Sequence, residues 1–414
     1  MPLQDQFGLP VGSTSATAIQ AYDIGIDCQL HAWPGGEQAL ILALQHDPAF
    51  ALAHAALALV YQSQGKVAPA RAAMAAARQF ASTAIEREHS HVAALSHVVE
   101  GRPMQALPAV LAHAQRWPND AGVVGTALGA FGLFAFSGQA DHDAARLQFV
   151  RQIGQQHPGD NPWLLTHLSW AHTEAGDAAQ GLALIERSLA LRPTNGNAAH
   201  VMAHARFELN QPSLALSFID SWLPQYPVEA ILFGHLNWHA ALCQIDLARI
   251  DDAVARLVQV IEPHLVHALP LVGMTDMASL LWRLGLAGRS GLSWAAAQAY
   301  AAQRFAKGGN AFVELHLAML AAARRDVQAL QLGRERLQRM ADAGHAGAVT
   351  AGHWVAGLTS MCTGSPEARP AAHTSFEACR SEAARLGGSH AQRSIVDRTA
   401  EAMMLATDAA ATPA

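Results

Sequence analysis

Apolar residues recur along this chain at helical spacing, in segments of about a dozen residues separated by short polar turns. The stretch "NPWLLTHLSWAHTEAGDAAQGLALIERSLALRPT", residues 161–194, shows the unit. A first apolar-periodic segment carries aromatics, a Gly–Asp turn follows, a second segment runs A-x-x-x-L, and a proline closes it. The period of 3.6 rather than 2 predicts two amphipathic helices packed as a hairpin. Closing turns of the same kind occur at Pro48, Pro118, Pro158, Pro193 and Pro227, and the later ones settle at a spacing of about 35 residues. That period and the helix–turn–helix content resemble those of the 34-residue tetratricopeptide (TPR) repeat. No alternating Val/Ile/Thr run bounded by hairpin turns is found. The pattern therefore predicts an all-α fold of TPR-like helix–turn–helix repeats stacked into a right-handed superhelix, an α-solenoid.

The boundaries follow from the same pattern. Residues 1–45 are less regular: "FGLPVGSTSATAIQAYDIG" reads as a loop and then a helix capped by Ser13 or Ser15, packing on the array. Residues 46–405 read as one array, interrupted by the Gly/Pro-rich loop "CTGSPEARP" (362–370). Residues 406–414 read as a disordered tail.

Composition narrows the function. The chain is 414 residues long, 51% hydrophobic and 14% charged, with a net charge of −6, which suits a well-buried protein and excludes wholesale disorder. No basic run or stripe is present, so the electrostatic footprint of nucleic-acid binding is missing. No stretch of about 18 uninterrupted apolar residues predicts a membrane span. The start "MPLQDQFGLP" lacks the basic and apolar parts of a signal peptide. Cys28, Cys243, Cys362 and Cys379 are scattered, with no CxxC pair, which points to a reducing, cytoplasmic setting.

The compositional oddity is 22 histidines against 27 lysines and arginines together. "AAHVMAHARFEL" (198–209) places His200 and His204 four residues apart, and "GHLNWHAAL" repeats the spacing at His235 and His239, one repeat later. Residues i and i+4 are neighbours on one helical face. Equivalent helices of adjacent repeats pack about 8–10 Å apart. If both faces point to the concave side, four imidazoles converge, a donor set suited to a divalent transition metal. The glutamate of H-E-x-x-H is missing, so a zincin-type protease is not supported. A lone histidine on an apolar helix is ordinarily a satisfied core residue, and only the repetition of the pair argues for a pocket.

Further candidates recur on leading helices. They are His54 in "DPAFALAHAALAL", His91 in "REHSHVAAL" after Arg87 and Glu88, Asp276 and Arg283 in "DMASLLWRLG", and His316 in "FVELHLAML". Each has an ordinary reading as a cap, surface charge or core hydrogen-bonder. Cys243, four residues after His239, reads as a small buried hydrophobe rather than a nucleophile, because no orienting third group accompanies it. "LGGSHAQR" (386–393) reads as a helix end, a glycine turn and a new helix start. Its functional version has Ser389, Gln392 and Arg393 reaching an anionic group.

These blocks, "FGLPVGSTS", "DPAFALAHA", "REHSHV", "AHVMAHARFE", "HLNWHAAL", "DMASLLWRL" and "LGGSHAQR", resemble in content and order the tetratricopeptide repeat protein 38 family, over nearly the whole chain. The resemblance implies the helical-repeat fold. It marks His54, His91, His200, His204, His235, Trp238, His239, Asp276, Arg283, His316 and Arg393 as family motif positions. It departs at Arg206, where the family tends to place a further histidine. It brings no settled reaction.

Two function classes follow. The first is an enzyme enclosing a small-molecule pocket, a metal-dependent oxidoreductase or hydrolase of a small metabolite. There His200, His204, His239 and Asp276 are the catalytic set, His200, His204, His235 and His239 are metal ligands, and His54, His91, Trp238, Arg283, His316 and Arg393 are binding residues. The second is a non-catalytic TPR adaptor taking a peptide or protein partner in its concave groove. Inner-face positions carry histidine and tryptophan rather than the lysine, arginine and asparagine clamps of peptide grooves, which favours the enzyme. The expected partner is a small-molecule ligand, with no nucleic acid and no membrane, and homo-oligomerisation is compatible with either class.

Overall fold

A computed structural model describes residues 3–156, 160–363 and 368–411, and side chains as far as residue 404. The turn at Pro158, residues 364–367 of the 362–370 loop and the last three residues lie outside the described part. Helix is the regular secondary structure of the described residues; apart from an isolated antiparallel bridge between Gln4 and Pro10, no strand pairing occurs among them. No helix among them is long and apolar enough to cross a membrane.

The chain gathers into two compact units. The first comprises Met1–Phe134, Asp143–Leu209 and Asp220–Phe233, and the second Ala135–His142, Asn210–Ile219 and Gly234–Ala414. Helices α1 (Ala16–Leu30), α2 (Gly36–His46), α3 (Ala51–Ser63), α4 (Val67–Ala81), α5 (Glu86–Val99), α6 (Pro103–Arg116) and the single turn α7 (Ala121–Val124) come first. They are followed by α8 (His142–Gly154), α9 (Pro162–Glu174), α10 (Ala178–Leu191), α11 (Gly196–Glu208) and α12 (Pro212–Trp222). Then come α13 (Phe233–Asp246), α14 (Ile250–Arg256), the single turn α15 (Glu262–His264), α16 (Pro270–Leu286) and α17 (Ala295–Arg304). The series ends with α18 (Ala311–Ala323), α19 (Val327–Asp342), α20 (Ala346–Thr363), α21 (Ala368–Ser381) and α22 (His390–Ala411). Helix α22 thus runs through Ala411, into the stretch expected to be a tail.

Local chemistry starts and stops these helices. Ser15, Asn161, Asp177, Asn195, Asn310 and Asp326 are N-caps whose side chains accept backbone N–H groups of the first turn. Each cap contributes about 1 kcal/mol. Several of these residues belong to the polar turns seen in the sequence. The turn between α9 and α10 passes through Gly176 at φ 93°, a conformation glycine adopts without strain.

Within the first unit, α3 packs on α4 and α5, and α9 packs on α10 and α11. Within the second, α18 packs on α19 and α20. In these three cases a leading helix touches both its own partner and the next leading helix, as in stacked helical hairpins. The core of the second unit is built around Trp238, Met274, Met277, Leu281, Met319, Trp354 and Phe376, all at most 1% exposed. The first unit holds one cluster around Met74, Leu95, Val110, Val150 and Trp163 and another around Tyr22, Leu40, Phe50 and Leu52. Abundant alanine on facing positions lets these helices approach closely.

The first unit is also tied from start to end. Both terminal nitrogens of Arg192 hold the carboxylate of Asp27, one of them at 2.8 Å. Gly196 N–H donates to His31 O at 2.9 Å, Asn197 Nδ2 to Leu30 O at 2.9 Å, and Tyr226 Oη to Ala32 O at 2.5 Å. None of the four cysteines is in a disulfide.

Candidate metal centre

In the first unit, helix α11 presents His200 and His204 on one face, with their Nε2 atoms 2.9 Å apart and ring centroids 4.6 Å apart. His204 is 1% exposed and His200 is partly buried. Trp170, from α9, backs the pair: its ring stacks on His200 at 5.8 Å and meets His204 edge-on at 4.7 Å. Arg146 lies over the same indole at 5.5 Å. Glu174, at the end of α9, brings Oε1 to 3.5 Å from His204 Nδ1, with both side chains buried. A carboxylate facing Nδ1 favours the tautomer with the proton on that nitrogen and leaves Nε2 its lone pair.

In the second unit, helix α13 carries His235 and His239 with centroids 4.8 Å apart. Trp238 stacks on His235 at 5.2 Å, nearly parallel, and stands edge-on to His239 at 4.9 Å. Its indole N–H donates to Ser279 Oγ at 3.1 Å, and Arg283 lies over its ring at 5.5 Å. Asp276, on α16, accepts from His235 Nδ1 through Oδ2 at 2.8 Å. This carboxylate is 3% exposed and its Oδ1 has no hydrogen-bond partner. The arrangement in the first unit recurs: an i,i+4 imidazole pair, an indole against both rings, and a buried carboxylate behind one ring.

Other predicted residues are distributed as follows. His54 is bonded through Nε2 to Pro48 O at 2.9 Å and stacks on Phe80, an arrangement that anchors the turn before α3. His316 donates through Nδ1 to the Phe312 carbonyl at 2.8 Å, and burial holds its imidazole down at about 4, so it stays neutral. Arg283 is buried and donates to the carbonyls of Ala391 and Gln392; burial, reinforced by Arg398, brings it down to about 9. Arg393 donates to Gly388 O at 2.6 Å. Ser389 and Gln392 form a capping box at the start of α22: Gln392 N donates to Ser389 Oγ at 3.2 Å and Ser389 N to Gln392 Oε1 at 3.0 Å. Cys243 is 5% exposed on α13.

His91 belongs to a separate group in the first unit, with partners the sequence did not single out. Asp120, immediately before α7, places Oδ2 2.9 Å from His91 Nδ1, 3.2 Å from His113 Nε2 and 2.9 Å from Arg87 Nε. Arg87 also pairs with Asp5 at 2.8 Å and donates to Pro10 O, so the N-terminal loop is fastened to α5. Burial alone would raise the Asp120 carboxyl, but His91, Arg87 and the hydrogen bond from His113 hold it well below its ordinary value. His113 is pushed down by burial, partly offset by Asp120.

Glu174, Trp170, His113 and Asp120 are the members of these side-chain groups that the sequence did not single out. Asp120 sits in the "RWPNDA" turn already flagged by Pro118, and Glu174 closes the helix before the "AGD" turn. Buried histidine groups that could hold a metal ion are thus a property of this helical protein. No protein-family model matches the chain.

Proposed function

We propose that this protein is an enzyme of a small metabolite, an oxidoreductase or hydrolase, that uses the imidazole pairs His200/His204 and His235/His239 as ligands of divalent transition metal. The observation that carries the reading is the repeated pairing of an imidazole with a buried carboxylate, Glu174 behind His204 and Asp276 behind His235. Carboxylate–histidine pairs of this kind fix the ligating tautomer and raise the basicity of the presented nitrogen. Neutral imidazole nitrogens suit zinc, iron, nickel and copper. A bound ion would supply Lewis-acid polarisation and an activated water at neutral pH. The chain's own residues then do the rest. Asp276 orients His235, Trp170 and Trp238 hold the rings rigid and exclude water, and Arg146 and Arg283 set positive charge over those indoles. The resemblance to the tetratricopeptide repeat protein 38 family, and with it a superhelical array around a small-molecule pocket, belongs to the same proposal.

The test is metal analysis of untagged protein. Near-stoichiometric transition metal is expected, and His204→Ala and His235→Ala should each lower it. Protein that is metal-free as purified, and remains so after incubation with zinc, cobalt, nickel and iron, would refute the reading.

A further inference from the structure

The geometry points to a second, separate metal site, made by His91 Nδ1, His113 Nε2 and Asp120 Oδ2 wholly inside the first unit. It does not depend on the imidazole pairs proposed above. The three donor atoms lie within 4.8 Å of one another and all three residues are buried. His91 comes from α5, His113 from α6 and Asp120 from the residue that opens α7, so three elements aim one donor each at a common point.

Three features favour an ion over a plain hydrogen-bonded cluster. First, the separations of 2.9 and 3.2 Å from Asp120 Oδ2 to the two imidazole nitrogens match neighbouring ligands on one metal. Bonds of about 2.1 Å at octahedral or tetrahedral angles give roughly 3.0–3.4 Å between donors. Second, Arg87 Nε also lies at 2.9 Å from this oxygen. Three nitrogens therefore crowd an atom with about two lone-pair positions. Third, the charges leave room for a cation. Arg87 is matched by Asp5 at 2.8 Å, and Glu88 is turned to the N–H of Gly12 at 2.7 Å, its carboxyl raised by burial. What remains is one carboxylate and two imidazoles.

The support expected around metal-bound imidazole is present. Ser90 Oγ lies 2.9 Å from His113 Nδ1, fixing that ring from behind, and Trp117 closes its flank at 5.0 Å. Two imidazoles and one carboxylate form the facial set used for divalent first-row metals, iron(II) and zinc(II) among them.

The test uses the full-length chain carrying His204→Ala and His235→Ala, so that the other candidate ligands are disabled, with cobalt(II) alone as probe. We expect about one equivalent of tightly bound cobalt, a visible d–d spectrum, and loss of both when His113→Gln is added. Ser90→Ala keeps all three donors and should weaken binding about 10–100-fold, which decides the matter even if His113→Gln fails to fold. A folded background protein that binds no cobalt, or binds it equally well with Ser90→Ala and His113→Gln, would overturn the assignment. Wild-type protein with metal that the pair substitutions leave untouched would instead count against the pairs and for this site.

Discussion

Replacing Arg87 by methionine tests how the first unit is held together. The methionine retains much of the packing volume but removes the guanidinium from a position 2% exposed. Asp5 and Asp120, whose side chains are 1% and 2% exposed, then lose their shared cation. Breaking a buried pair by removing one partner costs about 3–5 kcal/mol. The lost bond to the Pro10 carbonyl adds about 1 kcal/mol, and the added apolar contact of methionine offsets a similar amount. The expected loss is about 4 kcal/mol at pH 7. It should be measured by urea unfolding of chelator-dialysed protein, so that bound metal does not contribute. The pH dependence has a definite sign. In the wild type Asp120 is depressed, so its stabilising contribution is present above the ordinary carboxylate range and fades as pH falls through the depressed value. Without Arg87, burial is opposed only by His91 and His113, so Asp120 rises from its depressed value and acid relieves part of the cost; the deficit at pH 5 should be smaller than at pH 7. Hydrogen exchange in residues 3–12 should rise in parallel. A loss under about 1 kcal/mol, or a deficit that grows on acidification, would refute the reasoning.

Asp276→Asn should weaken metal binding by the imidazole pairs about 10–100-fold in a chelator competition, with little change in helix content. His316, neutral and held down at about 4, makes the native state a poor proton acceptor, so stability should fall from about pH 6.5 toward pH 4 as the unfolded chain takes up the proton. His316→Gln should remove up to about 3 kcal/mol of that slope in unfolding measured across this window, and an unchanged slope would assign it elsewhere. Gly387 has φ +79°, and a Cβ there would sit 2.4 Å from Phe136 Cδ1. Gly387→Ala should therefore lower stability by about 2 kcal/mol or more in thermal unfolding followed by circular dichroism.

Much of this architecture is visible in the sequence because it is written at short range. Alanine-rich periodic segments, Asn and Asp caps such as Asn161 and Asn195, and the Gly176 turn each act within a few residues of themselves. The i,i+4 histidine pairs belong to the same class, since helical geometry alone puts the rings together. Asp276 stood out in the sequence, but the carboxylates of Glu174 and Asp120 were not legible, for the opposite reason. Glu174 meets His204, and Asp120 meets His91 and His113, only after separate helices have packed, and nothing at those positions distinguishes them from the helix-end or turn acids that occur throughout. His54 and His316, read from the sequence as binding residues, each direct a ring nitrogen to a nearby backbone carbonyl, a partner that the sequence pattern alone does not reveal.

The ties between Asp27 and Arg192, and between Ala32 and Tyr226, change how the first unit should respond to damage. In an open ladder of repeats each rung leans only on its neighbours, so the ends can fray and a rung can be cut out at modest loss. Here the opening helix is clasped to residues more than 160 positions later, and melting either end releases the other. The unit should therefore come apart as a whole, and the ribosome must deliver its last helices before the first can settle.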